Sequence, residues 1–554
     1  METDFSAIDL FSGIGGFRIA IERCGGRCIA FSEINTDAVD TYIRNFSERS
    51  GANLGDIINL KHLPPHDLLT AGVPCQSWSI AGRNLGFDDD RGQLWNDALF
   101  LLRQSRPRAF IFENVKGLAD PRNKKALDYI LARIREAGYF ATHYILNSFD
   151  YGVPQSRVRI YIVGFREQKF LKAFRLPKKT DCRIRLRDIM DDEIIQVPIA
   201  NGSRNFSGLF DDVSFSSSSS TSLSKNNNGL NDYFLFNDLR NGATTIHSWD
   251  MIETTQRQKH ICLLLLRNRR KRDFGPLDGN PLSLEHFQCI DKTVTEEELT
   301  ELVSLGILKT EKYAFSVTQE AGSLDTLTSF EKLVLQKQEN HIIIPDKLVC
   351  DRELKIGRIN IKETLDALEC KGFVQCYETR FEFRYTKIST GLFGIGRIFL
   401  PSSDIFPTLV ASDTNDYLTP ISITARNDQD YRRDFMRHVF AKKLYRKISK
   451  AEACRIQGFP EGFLLPDSRS RWMKLLGNSV SVPVIEKLVH AVVKTGVFDN
   501  HNMKCEYSLT PMKHPYEVTP MDKMAVNMDF PAVPEQRCEQ LSFFEQPLVP
   551  AAKV

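Results

Sequence analysis

The feature that most constrains this chain is an alternation running through its first 165 residues. Short apolar runs recur: AIDLF (7–11), RCIAFSE, DLLTAG, AFIFENV and RIYIVGF. Amphipathic stretches such as FRIAIERCG and TDAVDTYIRNF lie between them. In the first of these, Phe17, Ala20, Ile21 and Cys24 share one helical face. Strands alternating with helices predict an α/β fold, a doubly wound and mostly parallel sheet covered by helices on both faces. Such sheets take ligands beyond the carboxyl ends of their strands. Gly13 to Gly16, Glu33, Asp56, Cys75 and Glu113 all fall at such ends.

The 554 residues suggest two to four domains. A content of 42% hydrophobic and 26% charged residues is that of an ordinary globular chain. No apolar run reaches the ~18 residues of a membrane span. The N-terminus METDFSAIDLFSG lacks a basic segment followed by an apolar one, so it does not read as a secretory signal, and a cytoplasmic location is expected. Twelve cysteines show no repeated spacing. Cys24 and Cys28 lack the second pair that a zinc site needs, so no metal is expected and the thiols should be free. A net charge of +3 neither demands nor excludes nucleic acid.

Beyond residue 170 the pattern changes. Residues 214–229, SFSSSSSTSLSKNNNG, are of low complexity and read as a mobile loop. DMIETTQRQKHICLLLLRNRRKRDFG reads as a helix ending in a basic cluster, Arg267, Arg269, Arg270, Lys271 and Arg272. VTEEELTELVSLGILKTEKYAFSV reads as a helix, a stop at Gly306 and a strand. Residues 359–386 repeat that design, which suggests two winged-helix-like units, each with its own hairpin. Compact structure resumes at Lys447, and Val484, Ile485, Leu488, Val489 and Val492 form a helical stripe. Residues 499–554 read as a flexible tail.

Several motifs carry chemistry. DLFSGIGG is a strand, a glycine turn and a helix start, a corner where a ligand can approach the backbone. Glu33 stands at the end of the second strand, where a carboxylate can hold ribose hydroxyls. In GVPCQSWS, Pro74 stiffens the chain before Cys75. A cysteine of ordinary pKa, about 8.5, is mostly protonated at neutral pH, so a nucleophile here needs a nearby charge or a coupled proton transfer. Taken alone, Cys75 reads more naturally as structural. FENV puts Glu113 at an apolar strand end, costly unless paired. QSRVRIYIVGF sets Arg157 and Arg159 two apart, on one face of a strand.

Together these blocks resemble the DNA cytosine-5 methyltransferases of bacterial restriction–modification systems. DLFSGIGGFRIA, SEINTDA, GDI, GVPCQSWSIAG, FENVKGL, QSRVRIYIVGFR, ISKAEACRIQGFP and LLGNSVSVPV occur in the family's order, over residues 6–166 and about 446–494. The resemblance implies transfer of a methyl group from S-adenosylmethionine to carbon 5 of a flipped cytosine in double-stranded DNA. It implies Cys75 as nucleophile after Pro74, Glu113 on ring N3, Arg157 on the base and Arg159 orienting acid and thiol. Gln76 and Ser79 belong to the loop that closes on DNA. For the cofactor it points to Phe11, Gly13, Ile14, Gly16, Glu33, Ile34, Asp56, Asn478 and Ser479.

The resemblance divides the chain into residues 1–170 (cofactor and nucleophile), 171–445 (target recognition), 446–498 (completion of the catalytic domain) and the tail. Arg240, Arg269, Arg270 and Thr408, the last within FPTL, are candidate DNA contacts. Gln540–Phe544 in the tail resembles a sliding-clamp peptide. A monomer at the bacterial nucleoid, protecting host DNA from a cognate restriction enzyme, is expected. Two alternatives stay open: a tRNA methyltransferase of the same superfamily and a catalytically silent DNA-binding protein. A nicotinamide oxidoreductase fails to account for Pro74-Cys75 or FENV.

Overall fold

A computed structural model describes residues 4–74, 90–180, 184–197, 232–235, 245–252, 254–275, 279–318, 326–348, 354, 360–385, 392–403, 405–425 and 428–499. Among these, the main sheet is built from β1 (Phe5–Leu10), β2 (Gly26–Ser32), β3 (Leu68–Gly72), β4 (Ala109–Val115), β5 (Phe140–Asn147) and β7 (Val158–Phe165), with the short β6 (Gln155–Ser156) just before β7. Its order is β2-β1-β3-β4-β7-β5. β1 to β4 run parallel, whereas β7 runs antiparallel to both β4 and β5. The central strands are buried nearly end to end, as a sheet covered on both faces requires. β5 is a half-exposed edge strand.

Helices α1 (Gly16–Arg23), α2 (Thr36–Phe46), α3 (Asp90–Ser105) and α4 (Lys124–Glu136) join the strands. α2 starts where the Asn35 side chain accepts the Ala38 N–H at 3.0 Å. The far end of the chain closes the same core. There the helices over Lys450–Gln457, Arg469–Asn478 and Val482–Val493 contribute Ile456, Leu476, Ile485, Leu488 and Val492. Phe498 stacks on Phe5 with centroids 4.3 Å apart. Arg23 pairs with Glu486 at 3.1 Å. The strand-1 corner and the C-terminal segment are therefore one packing unit.

The middle of the chain holds separate cores. One gathers Ile246, Leu392, Ile395, Ile398, Leu400, Ile421, Phe435 and Val439. A second and a third are drawn from residues 249–383. They follow from helices α5 (Gln256–Asn268), α6 (Leu284–Ile290) and α7 (Glu296–Ser304), strand β8 (Leu308–Val317), helix α8 (Ser329–Gln336), strand β9 (Ile342–Ile343), helix α9 (Ile361–Cys370) and strand β10 (Val374–Phe383). The expected helix before the basic cluster is interrupted. Thr255 caps a fresh start, accepting from the Gln258 N–H while Gln258 Oε1 accepts the Thr255 N–H.

Each repeat is a helix, a glycine and a strand, as the sequence suggests. The expected separate hairpins are not what forms. β8 and β10 pair with each other, antiparallel, from Leu308 opposite Phe383 to Val317 opposite Val374. One sequence offset carries Gly306 onto Gly372, Leu308 onto Val374 and Phe315 onto Phe381. Phe315 takes Ile343 on its outer edge, and Phe381 takes Leu282. Each unit thus borrows its outer strand partner from the other, and the two are related by a pseudo-two-fold axis. Pairing this way leaves neither long strand as an open edge on its inner side.

The low-complexity stretch 214–229, Arg240 and the tail 500–554 lie outside the described residues. Among those described, no helix is long and apolar enough to cross a membrane.

Candidate active site and cofactor corner

β1 ends at Leu10, and the chain turns at Phe11 with φ +52°. Gly13 follows at φ +54°, and a Cβ built there meets nothing within 4 Å. The turn is therefore open where a ligand would lie, and a left-handed φ at this point favours glycine. The Glu33 carboxylate reaches across from the end of β2. Its Oε2 accepts the Gly13 N–H at 2.9 Å, while Oε1 accepts the N–H groups of Ile34 and Asn35 at 2.9 and 2.8 Å. Three main-chain donors fix the carboxylate yet leave acceptor capacity for hydroxyls.

Asn53 brackets Glu33, accepting its N–H and donating to its carbonyl, both at 3.1 Å. Ser32 Oγ donates to the Gly55 carbonyl at 2.6 Å. Those bonds bring Asp56 to the same edge, where it caps a short turn through the Ile58 N–H at 3.2 Å. Ile34 is 70% exposed beside them, an apolar surface suited to one face of a flat ring. An open turn, a pinned carboxylate, an exposed aliphatic face and a second carboxylate fit an adenosyl ligand bearing a charged chain.

Two cofactor candidates sit differently from expectation. Ile14 is fully buried in the catalytic core, so its side chain packs and only its backbone borders the corner. Gly16 faces protein: a Cβ there would lie 2.7 Å from Val480 Cγ2 and 3.0 Å from Ser479 Oγ. It lets the C-terminal segment close on α1. Ser479 is thereby buried at the corner, while Asn478 is exposed at its helix end.

The chemical end of the site lies beside β3 and β4. Gly72 is opposite Glu113 in the parallel register. Glu113 is 8% exposed and pairs with Arg159 Nε at 3.1 Å. Arg159 comes from the start of antiparallel β7, opposite Val115. The guanidinium thus sets a positive charge directly against the carboxylate at the strand end. Asn114 Nδ2 donates to the Val73 carbonyl at 3.1 Å, which fixes the backbone leading into half-buried Pro74. Cys75, Gln76 and Ser79 lie outside the described residues. Asn114 was legible in FENV only as a neighbour of the acid, and Asn53 carries no motif at all.

The two arginines do not share a task. Arg157 is 3% exposed and its guanidinium donates to three carbonyls: Leu409 at 3.2 Å, Gly477 at 3.2 Å and Ser479 at 2.5 Å. The expected contact of Arg157 with the base is corrected accordingly. Its charge is committed to holding three distant segments together. Thr408, the expected DNA contact in FPTL, is tied to the same seam, donating from Oγ1 to the Ser156 carbonyl. Phe406–Pro407 pairs with β6.

Arg269 is a second correction. It is 7% exposed and forms a buried ion pair with Glu382 at 2.8 Å. A side chain so placed cannot reach a phosphate. Burial pushes Glu382 up to about 7, with the Arg269 charge pulling it down. Arg270 next to it is exposed.

A Rossmann-like sheet carrying an antiparallel strand, with a glycine corner and a carboxylate on the second strand, defines the S-adenosylmethionine-dependent methyltransferase fold class. The family model for "C-5 cytosine-specific DNA methylase" matches residues 5–494, and the chain belongs to that family. It is a DNA cytosine-5 methyltransferase by that membership. It is 36% identical over 502 residues to the Type II methyltransferase M.HgiBI of Herpetosiphon aurantiacus, covering 89% of this chain and 98% of that one. Similarity to the Type II methyltransferase M.BanI of Aneurinibacillus aneurinilyticus is 28% over 515 residues, 88% of this chain and 96% of the other. Against M.HhaI of Haemophilus parahaemolyticus, 37% identity extends over 194 residues, only 35% of this chain and 59% of that one. The family match does not favour the tRNA-directed or catalytically silent alternatives.

Proposed function

We propose that this enzyme methylates carbon 5 of a flipped cytosine in a specific duplex sequence, using S-adenosylmethionine. The observation that carries the reading is the Glu113–Arg159 pair, 3.1 Å apart, at the strand end next to Gly72. Carbon 5 of cytosine is a poor nucleophile. Cys75, following Pro74, adds its thiolate to carbon 6 and makes the ring an enamine. Glu113, oriented by its pairing with Arg159, interacts with ring N3 as that nitrogen is protonated and so stabilises the adduct. The cofactor supplies an electrophilic methyl on a sulfonium centre. Loss of the carbon 5 proton then expels the Cys75 sulfur and restores the ring.

Glu33, Asp56, Ile34 and the open turn at Phe11 and Gly13 hold the adenosyl group, with the Ser479 segment closing the corner. The base has to leave the stack to reach this edge. Gln76 and Ser79 follow the nucleophile on the loop that closes over it. Residues 171–445 serve target recognition, with Arg240 and Thr408 near the DNA. Residues 446–498 complete the catalytic domain. Protection of host DNA from a cognate restriction enzyme, a monomer at the nucleoid in the cytoplasm and a clamp peptide at Gln540–Phe544 belong to the same reading.

Methyl transfer from labelled S-adenosylmethionine, compared between unmethylated duplex DNA and tRNA, tests it. Label in DNA alone is the expected result. Label in tRNA alone would overturn the assignment.

A further inference from the structure

We propose that the pseudo-symmetric module spanning residues 254–385 grips the DNA backbone outside the methylated sequence, through an exposed basic knuckle at Arg267, Arg270, Lys271 and Arg272. The inference rests on DNA as the substrate. The knuckle is held in place. Arg269 is anchored to Glu382, and its carbonyl accepts the backbone and side-chain N–H groups of Asn280 at 2.7 and 3.0 Å. The Lys271 N–H is bonded to the Asn268 carbonyl at 2.8 Å. The four neighbouring cations are exposed on this anchored turn.

The repeat supplies its own control. The equivalent helix α8, also begun by a threonine cap, with Glu331 in the place of Gln258, leads instead into Lys337, Gln338, Glu339, Asn340 and His341. The same step in the fold is therefore made without the basic cluster, so folding does not require it.

The face presented by α7 is unsuited to phosphate, exposing Glu296, Glu297 and Glu301. Like charges of this kind repel a duplex. Each long strand is already paired to the other, so neither is available as a free wing. Neither core of the module shares a residue with the catalytic core, which makes the module a body with its own packing.

The test uses the full chain and random-sequence duplexes, since backbone binding is sequence-independent. Binding is measured against salt on duplexes of about one and about four helical turns. In Arg267→Gln/Lys271→Gln/Arg272→Gln, the slope on the long duplex should fall by ~2 to 3, about 0.9 for each phosphate no longer neutralised. The short duplex should show no change. An unchanged slope on the long duplex overturns the proposal, and so does an equal fall on both lengths. Glu296→Gln/Glu297→Gln/Glu301→Gln should leave both slopes alone; tighter binding would put the acidic helix on the DNA and contradict it. Methyl transfer by the unaltered enzyme is scored separately, so failure of the enzymatic reading is distinguishable.

Discussion

Two arginines separated by one residue divide the work at this site, and each can be assayed apart. Arg157→Lys keeps a charge but cannot span three carbonyls with a fork of donors. It should destabilise the chain by about 2–4 kcal/mol, since buried charged hydrogen bonds are lost together. Urea denaturation would check this. Arg159→Ala should lower kcat about 100-fold or more, as loss of an electrostatic stabiliser does, and should also lower the melting temperature, because Glu113 is left buried without its cation. The spacing of the pair was legible in QSRVRIYIVGF. Their different duties were not, because the carbonyls that claim Arg157 come from residues 409, 477 and 479.

Asp9 is a third case at this scale. It is fully buried beneath the glycine corner, with Thr70 Oγ1 donating to it at 2.9 Å. Burial pushes its carboxyl from 3.8 up to about 8, and nearby Glu33 adds to the rise. Between those values the folded chain keeps a proton that the unfolded chain has lost. Stability from this group is thus present at acid pH and declines as pH rises towards 8. Asp9→Asn should melt higher than the unaltered protein at pH 8.5 and lose the advantage near pH 4, as thermal scans at both pH values would show.

Among the elements, those facing a core on both sides were the readable ones. β1, β3 and β4 are dominated by buried apolar residues, so AIDLF, DLLTAG and AFIFENV announce them. β5 was missed: FATHYILN is half-exposed and mixes His, Tyr and Thr with aliphatics, a weak period. The antiparallel sense of β7 is likewise invisible locally, because it depends on the path of residues 140–157. The basic cluster lies on the turn just past the helix end at Asn268, where neighbouring residues take different directions. Arg269 and Arg270 accordingly face core and solvent, a difference that composition cannot express. Arg269→Met leaves Glu382 buried and unpaired, and should cost about 3–5 kcal/mol at pH 8, where that carboxyl is ionised in the unfolded chain. Chemical denaturation at pH 8 and at pH 5 should show the smaller loss at pH 5.

For the whole molecule, the order of motifs along the chain identified the enzyme, and the fold explains that order. The corner built by residues 5–56 is closed by residues 477–480, and the seam at Arg157 joins that closure to the segment at Leu409. A glycine at 16 is required by that closure, so Gly16→Ala should weaken cofactor binding by calorimetry far more than its small volume suggests. The exchanged strands of the central module were out of reach of the sequence. The helix–glycine–strand repeat is local, whereas pairing Leu308 with Phe383 is a long-range choice.

The central claim is that Cys75 attacks the ring. DNA carrying 5-fluorocytosine tests it most directly, because fluorine cannot leave carbon 5 as a proton does and the adduct is trapped. With S-adenosylmethionine present, mass spectrometry of the digested complex should find the nucleotide on the Cys75 peptide, and none with Cys75→Ser. An adduct on another residue, or methyl transfer surviving in Cys75→Ser, would contradict the account.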